Sequence, residues 1–198
     1  MTLTPTATPT IIRRYYLPLV IRNYIPRPDL VITSLLVTSD GVQVVIKNQG
    51  DSPVVDEFWI DFYVNPLPPP VAVNEIWDDG RADQGIAWAI TNLLDPATQP
   101  LPLLPGQSFT VAFRDALMVA DYTWIAFPLP AGAPVYAQVD SANDLTDYGG
   151  VLETHEARGG PYNNVFGPVY VAGEPLRNAS QSAPLPAGRR LPPSMPPR

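Results

Sequence analysis

Residues Pro134–Val171 read PVYAQVDSANDLTDYGGVLETHEARGGPYNNVFGPVYV: a strand, a long polar and acidic loop, and a returning strand. Val135, Ala137 and Val139 alternate with Tyr136, Gln138 and Asp140, the period of two that marks a half-buried strand. Val169 and Val171 repeat the alternation on the way back. A hairpin alone cannot bury its apolar face, so further strands must cover it.

The chain ahead of it supplies them. Asp29–Thr38, DLVITSLLVT, is apolar on both faces, and Thr33-Ser34 in its middle suggests a bulge or a switch of sheet. After the Asp40-Gly41 turn, Val42, Val44 and Ile46 face inward, with Gln43 and Lys47 outward. Asn48-Gln49-Gly50-Asp51 is turn chemistry. Phe58, Ile60, Phe62 and Val64 then alternate with Trp59, Asp61, Tyr63 and Asn65 until Pro66 ends the run. The pattern is lost from Leu67 to Pro102, which reads as a long loop insertion. It returns at Phe109, Val111 and Phe113. Arg114–Ala120 reads as one helical turn and Tyr122–Phe127 as another strand.

About seven short strands without a helical period predict an all-β fold, an immunoglobulin-like antiparallel β-sandwich. With 198 residues, including 26 prolines crowded at the ends and in the middle, the chain fits one domain with appendages. Residues 1–10 read as a Thr/Pro-rich stalk, 11–27 as an apolar and basic lead-in that docks along the sandwich edge, and 28–172 as the domain. Residues 173–198 read as a disordered Pro-rich tail. Residues 1–10 lack the pattern of a signal peptide, so the opening reads as a fragment boundary.

The net charge of −7, with Lys47 the single lysine, opposes nucleic acid and anionic membrane surfaces, which need a basic footprint. No cysteine is present, which removes disulfides, thiolate metal sites and cysteine nucleophiles. No apolar run approaches a membrane span.

PDLVITSLLV, VQVVIKNQGDSPV, LLPGQSFTV and YAQVDSAND…ETHE…YNNV together resemble the CARDB family, cell-adhesion-related domains of bacteria. The strongest pieces are Lys47–Asp51, Leu104–Gln107 and Asn163-Asn164, and the match runs from about Pro28 to Val171. The resemblance implies an immunoglobulin-like accessory module of a secreted or surface protein, extracellular, non-catalytic and without catalytic residues. Its partners would be other proteins or cell-surface polysaccharide. The insertion at 67–102 is longer than the family carries there.

Two stretches offer chemistry. Trp77 and Trp88, with Asp78, Asp79 and Asp83, have the composition of a sugar-binding platform, which makes a carbohydrate-binding module the second reading. The alternative folds both tryptophans onto the outer face of the third strand, over Trp59 and Tyr63. Asp140, Asn143, Asp144 and Asp147 have the donor types for calcium, although their spacing is not that of an EF-hand loop. No other cofactor is implied. His155 is the only histidine, so multi-histidine metal sites are excluded. It reads as solvent-facing, and a hydrolase that uses it or an acid pair is the third reading.

Overall fold

In the computed structural model, residues 24–92 and 100–172 are described. The stalk, the lead-in as far as residue 23, residues 93–99 of the insertion and the tail lie outside them. The hairpin forms as expected: β6 (Pro134–Val139) pairs antiparallel with β7 (Val165–Tyr170), Gln138 standing opposite Val165. Around it, two antiparallel sheets make an all-β sandwich of seven strands among the described residues. One sheet holds β1 (Leu30–Val37), β2 (Val42–Asn48) and β5 (Ser108–Ala112) in the order β1-β2-β5. The other holds β3 (Phe58–Val64) and β4 (Gln84–Ile90) with the hairpin, in the order β4-β3-β6-β7.

The double-faced apolar pattern of β1 has a simple cause. Its register against β2 slips between Ile32 and Ser34, so Thr33 is an extra residue. Before the bulge the buried positions are Leu30 and Ile32; after it they are Leu35 and Val37. The inserted residue shifts the phase by one, and both halves face the core.

Trp88, Phe58, Phe62, Ile46, Ile60, Ile86 and Ile90 are fully buried among the residues between the sheets, each contributing about 1.5–3 kcal/mol. β3 is buried along its whole length, because loops cover its outer side as well. There Trp59 packs with Ala87, Ala89, Val119 and Ala142 and meets the Tyr122 ring edge-on at 5.6 Å.

Three expectations need correction. The supposed insertion contains a strand, β4, paired with β3 along its full length. Ile86, Trp88 and Ile90 point into the core while Gly85, Ala87 and Ala89 point outward. Small outward residues hide the alternation, and they are small because loops press onto them. Tyr122–Phe127, in contrast, is not a strand. Segment 117–124 forms no ladder with β4 but meets it at two isolated bridges, Trp88–Met118 and Gly85–Trp124, separated by a 3-10 turn at Ala120–Tyr122. That contact covers the edge of β4, which would otherwise offer open backbone groups. The helical turn read at Arg114–Ala120 is instead a corner pinned by Asp115, whose carboxylate accepts the N–H groups of Ala112, Leu117 and Met118.

At one pole of the sandwich, Glu153 accepts hydrogen bonds from Leu30 N–H, at the start of β1, and from the Asn164 amide, just ahead of β7. At the other pole, Leu129 N–H donates to Ser39 past the end of β1, and Val171 past the end of β7 pairs with Gly132 and Ala133. β1 and β7 therefore run the same way. The chain comes in at one pole and leaves at the other.

Candidate functional site

The polar groups of the molecule gather where the chain comes in. Asn48 ends β2 with its side chain buried. Its Oδ1 accepts the N–H groups of Asp29 and Gly50, and its Nδ2 donates to the carbonyls of Ser52 and Leu103. Gly50 is required at this corner, since a Cβ there would fall 2.5 Å from the carbonyl oxygen of Arg27. The corner sets Asp29, whose carboxylate accepts from Gln49 Nε2 and Asn163 Nδ2.

Opposite stands a single helical turn, α1 (Thr154–Arg158), in the loop that the sequence presents only as polar. Glu153 and Glu156 form a capping box at its start, and Gly159 closes it in the left-handed conformation. Thr154 N–H donates to the carbonyl of Pro28 at 2.9 Å. The Arg158 guanidinium donates to the Ile25 carbonyl and lies 4.6 Å over the Tyr24 ring. The incoming chain is thus clamped from residue 24 to residue 30.

His155 is central to this junction and 8% exposed, so the solvent-facing expectation is wrong. Its Nδ1 lies 3.8 Å from Asp29 Oδ1 and 3.9 Å from Glu153 Oε2, and its Nε2 lies 3.7 Å from Glu156 Oε1. Neither ring nitrogen has a hydrogen-bond partner. The ring stands edge-on to Tyr162. Burial holds the Glu153 carboxyl well above its ordinary value, and the nearby charge of Asp140 pushes the same way. Burial also carries Glu156 up to about 7. It lowers His155, against the pull of Asp29. Burial thus disfavours the charged forms of His155, Glu153 and Glu156 alike.

A cleft of about 290 Å³ opens beside His155 and Glu156, with Asp147, Tyr162 and the 71–73 segment as its other walls. Gln138, fully buried, fixes two of those walls by donating to the Ala72 carbonyl and the Tyr162 hydroxyl while accepting from Tyr63.

The residues singled out in the sequence do not converge. Trp88 lies in the core, its indole N–H donating to the Ala112 carbonyl at 3.0 Å. Trp77 is buried over Gly85, where a Cβ would collide with its ring, and donates to the Tyr122 carbonyl. Neither indole offers a free face, so the platform of Trp77 and Trp88 is not formed; Asp78, Asp79 and Asp83 are exposed beside it. Trp77 does lie on the outer side of the sheet that holds β3, but against Gly85 of β4 rather than over Trp59 and Tyr63. The alternative fails for Trp88, which points inward.

The calcium set is not assembled either. Asp140 is fully buried and its two oxygens accept the N–H groups of Gly150 and Val151. Asn143 staples its own loop through Leu145 and Gly149, and Asp144 and Asp147 are exposed. Among the described residues, the titratable groups close enough to share an ion are Asp29, Glu153 and His155. Asp29 and Glu153 are 124 positions apart, so no spacing reveals them. The one local signal was the Glu153-x-x-Glu156 box followed by Gly159-Gly160.

No known protein family matches the chain, and no curated protein is detectably similar to it.

Proposed function

We propose that this chain is a non-catalytic spacer or interaction module of a secreted or surface protein of bacteria, an immunoglobulin-like domain of the CARDB kind that works outside the cell. One observation carries the reading: the chain comes in at one pole of the sandwich and leaves at the other. A domain with its ends so placed extends a chain in series. A force between the ends would load the ladder between β1 and β2 in shear, where its hydrogen bonds act together. The clamp on residues 24–30 passes that load into the body.

Single-molecule pulling tests it. Because the chain has no cysteine, handles attach only at introduced ones. Pulled through Arg27→Cys and Ala172→Cys, the domain ruptures in one cooperative step. Pulled through Arg27→Cys and Asp51→Cys, both near one end of the β1–β2 pair, it unzips at lower force. Equal forces, or gradual extension along the first axis, would remove the load-bearing role.

Trp124 favours a second reading as a carbohydrate-binding module. It is the one tryptophan presented to solvent, at 59% exposure, and an exposed indole is a stacking surface for a sugar ring. A polysaccharide panel read by tryptophan fluorescence, with Trp124→Ala as control, separates the two.

A further inference from the structure

We propose that Asp29, Glu153 and His155 form a binding site for one divalent transition-metal ion of the zinc type. The inference does not rest on the module reading. His155 Nδ1, Asp29 Oδ1 and Glu153 Oε2 face one another, and the donor atoms of the three residues all lie within 4.8 Å of one another. Donors so spaced leave roughly 2.2–2.5 Å from a common centre to each atom, a few tenths of an ångström beyond the bonds zinc makes to nitrogen and oxygen. A small side-chain adjustment closes the gap.

A second observation is independent of the cluster. His155 is more than nine-tenths buried, yet neither of its ring nitrogens makes a hydrogen bond. A buried polar atom without a partner costs free energy, and Nδ1 points between two carboxylates. The same junction holds two more buried orphan atoms, Asn163 Oδ1 and Asn164 Oδ1. Both amides use their other end to orient the carboxylates: Asn163 donates to Asp29 Oδ1 and Asn164 to Glu153 Oε1. Ligand carboxylates held by outer hydrogen bonds are the usual construction of a metal site.

The charge balance agrees. Asp29, Glu153 and Glu156 surround one imidazole, and the guanidinium of Arg158 on the same helical turn is turned to Ile25 and Tyr24. A cation would offset the burial of these acids. The donor set selects its kind. One imidazole with carboxylate oxygens suits zinc, whereas calcium takes all-oxygen sets of six to eight. Solvent can complete the coordination from the side where Asp29 is partly open.

The test is a titration of the full chain, stripped with chelator, with Zn²⁺. Because His155 is the only histidine, its ring resonances report binding directly, and they shift to saturation at one ion per chain. His155→Gln and Asp29→Asn abolish that binding, and Asn163→Ala weakens it by about 10–100-fold. Asp144→Asn, at an exposed acid, binds as the parent does. The result that overturns the proposal is a His155 ring unmoved by Zn²⁺, or a His155→Gln variant that binds as tightly as the parent. Should the variants fail to fold, the resonances of the parent protein decide alone. Calcium moving the same resonances at the same excess would overturn the choice of a zinc-type ion.

Discussion

The slab between the two sheets and the junction where the chain comes in are both buried, and they are held by opposite means. In the slab, apolar side chains from seven strands interlock with no directional requirement. In the junction, Asn48, Glu153, Asn164 and His155 are each at most 8% exposed, and all but His155 have their side chains hydrogen-bonded. Burial alone stabilises the first. The second depends on hydrogen bonds such as those of Asn48 and Glu153, since leaving such a buried group unpaired costs more than the made bond contributes.

The largest effect belongs to the slab. Trp88→Ala opens a cavity between the sheets and strands the Ala112 carbonyl that accepts its indole N–H. A loss of about 3–5 kcal/mol is expected in chemical denaturation. A loss below 1 kcal/mol would mean that Trp88 does not sit in the core. The junction comes next. Asn48→Ala removes four hydrogen bonds to backbone groups, at about 1 kcal/mol each before relaxation, so roughly 3 kcal/mol is expected. The two losses should add, because the sites share no partner. Strong coupling between them would dissolve the contrast.

The contrast also decides what could be read from sequence. Strands β2, β3, β5, β6 and β7 follow from period-two alternation, and the bulge at Thr33 follows from a phase change, because the slab is specified residue by residue. β4 was hidden for a packing reason. Its outward positions are Gly85, Ala87 and Ala89, small enough for Trp77 and Val119 to lie against them, so the run reads as uniformly apolar. Of the junction only local pieces were legible, the turn at Asn48–Asp51 and the Glu153–Glu156 capping box. Asp29 meets His155 across 126 positions of chain, and polar pairing has no period to announce it. The acids that did stand out, Asp140 through Asp147, stood out as a cluster in sequence. In space Asp140 holds loop backbone, while Asp144 and Asp147 are exposed.

Asp140 sharpens the contrast through pH. Burial raises its carboxyl well above the ordinary aspartate value, the charges of Glu156 and Asp56 push the same way, and the N–H groups of Gly150 and Val151 only partly oppose this. Gly149, at φ 86°, packs against the carboxylate, so the surrounding turn cannot simply open. For an acid whose folded value is raised, the sign is fixed. Its contribution is fully present below the unfolded value, near 4, and is lost as pH rises from there through the folded value. Thermal stability of the parent should therefore fall with rising pH above about 4 more steeply than that of Asp140→Asn. The slope is the readout, because the variant also loses an acceptor. Parallel slopes would mean that Asp140 titrates normally and is not buried.

The smallest effect is the most discriminating, because it concerns the same residue type on both sides of the comparison. Trp59, Trp77 and Trp88 are buried while Trp124 is exposed. Yet Trp124 is not loosely attached: its N–H and carbonyl both pair with Gly85, at 3.0 and 2.8 Å. Those bonds belong to the backbone, so Trp124→Ala should keep them and change stability by less than about 0.5 kcal/mol. It should also remove the fraction of tryptophan emission that acrylamide quenches, leaving the spectrum of three enclosed indoles. A loss above about 1 kcal/mol would place the Trp124 ring in a packed environment and take away the stacking surface on which the carbohydrate reading depends. Silence in stability, together with loss of sugar binding, would instead show that segment 117–124 serves two purposes: its backbone closes the edge of β4, and its one outward indole is left free for a partner.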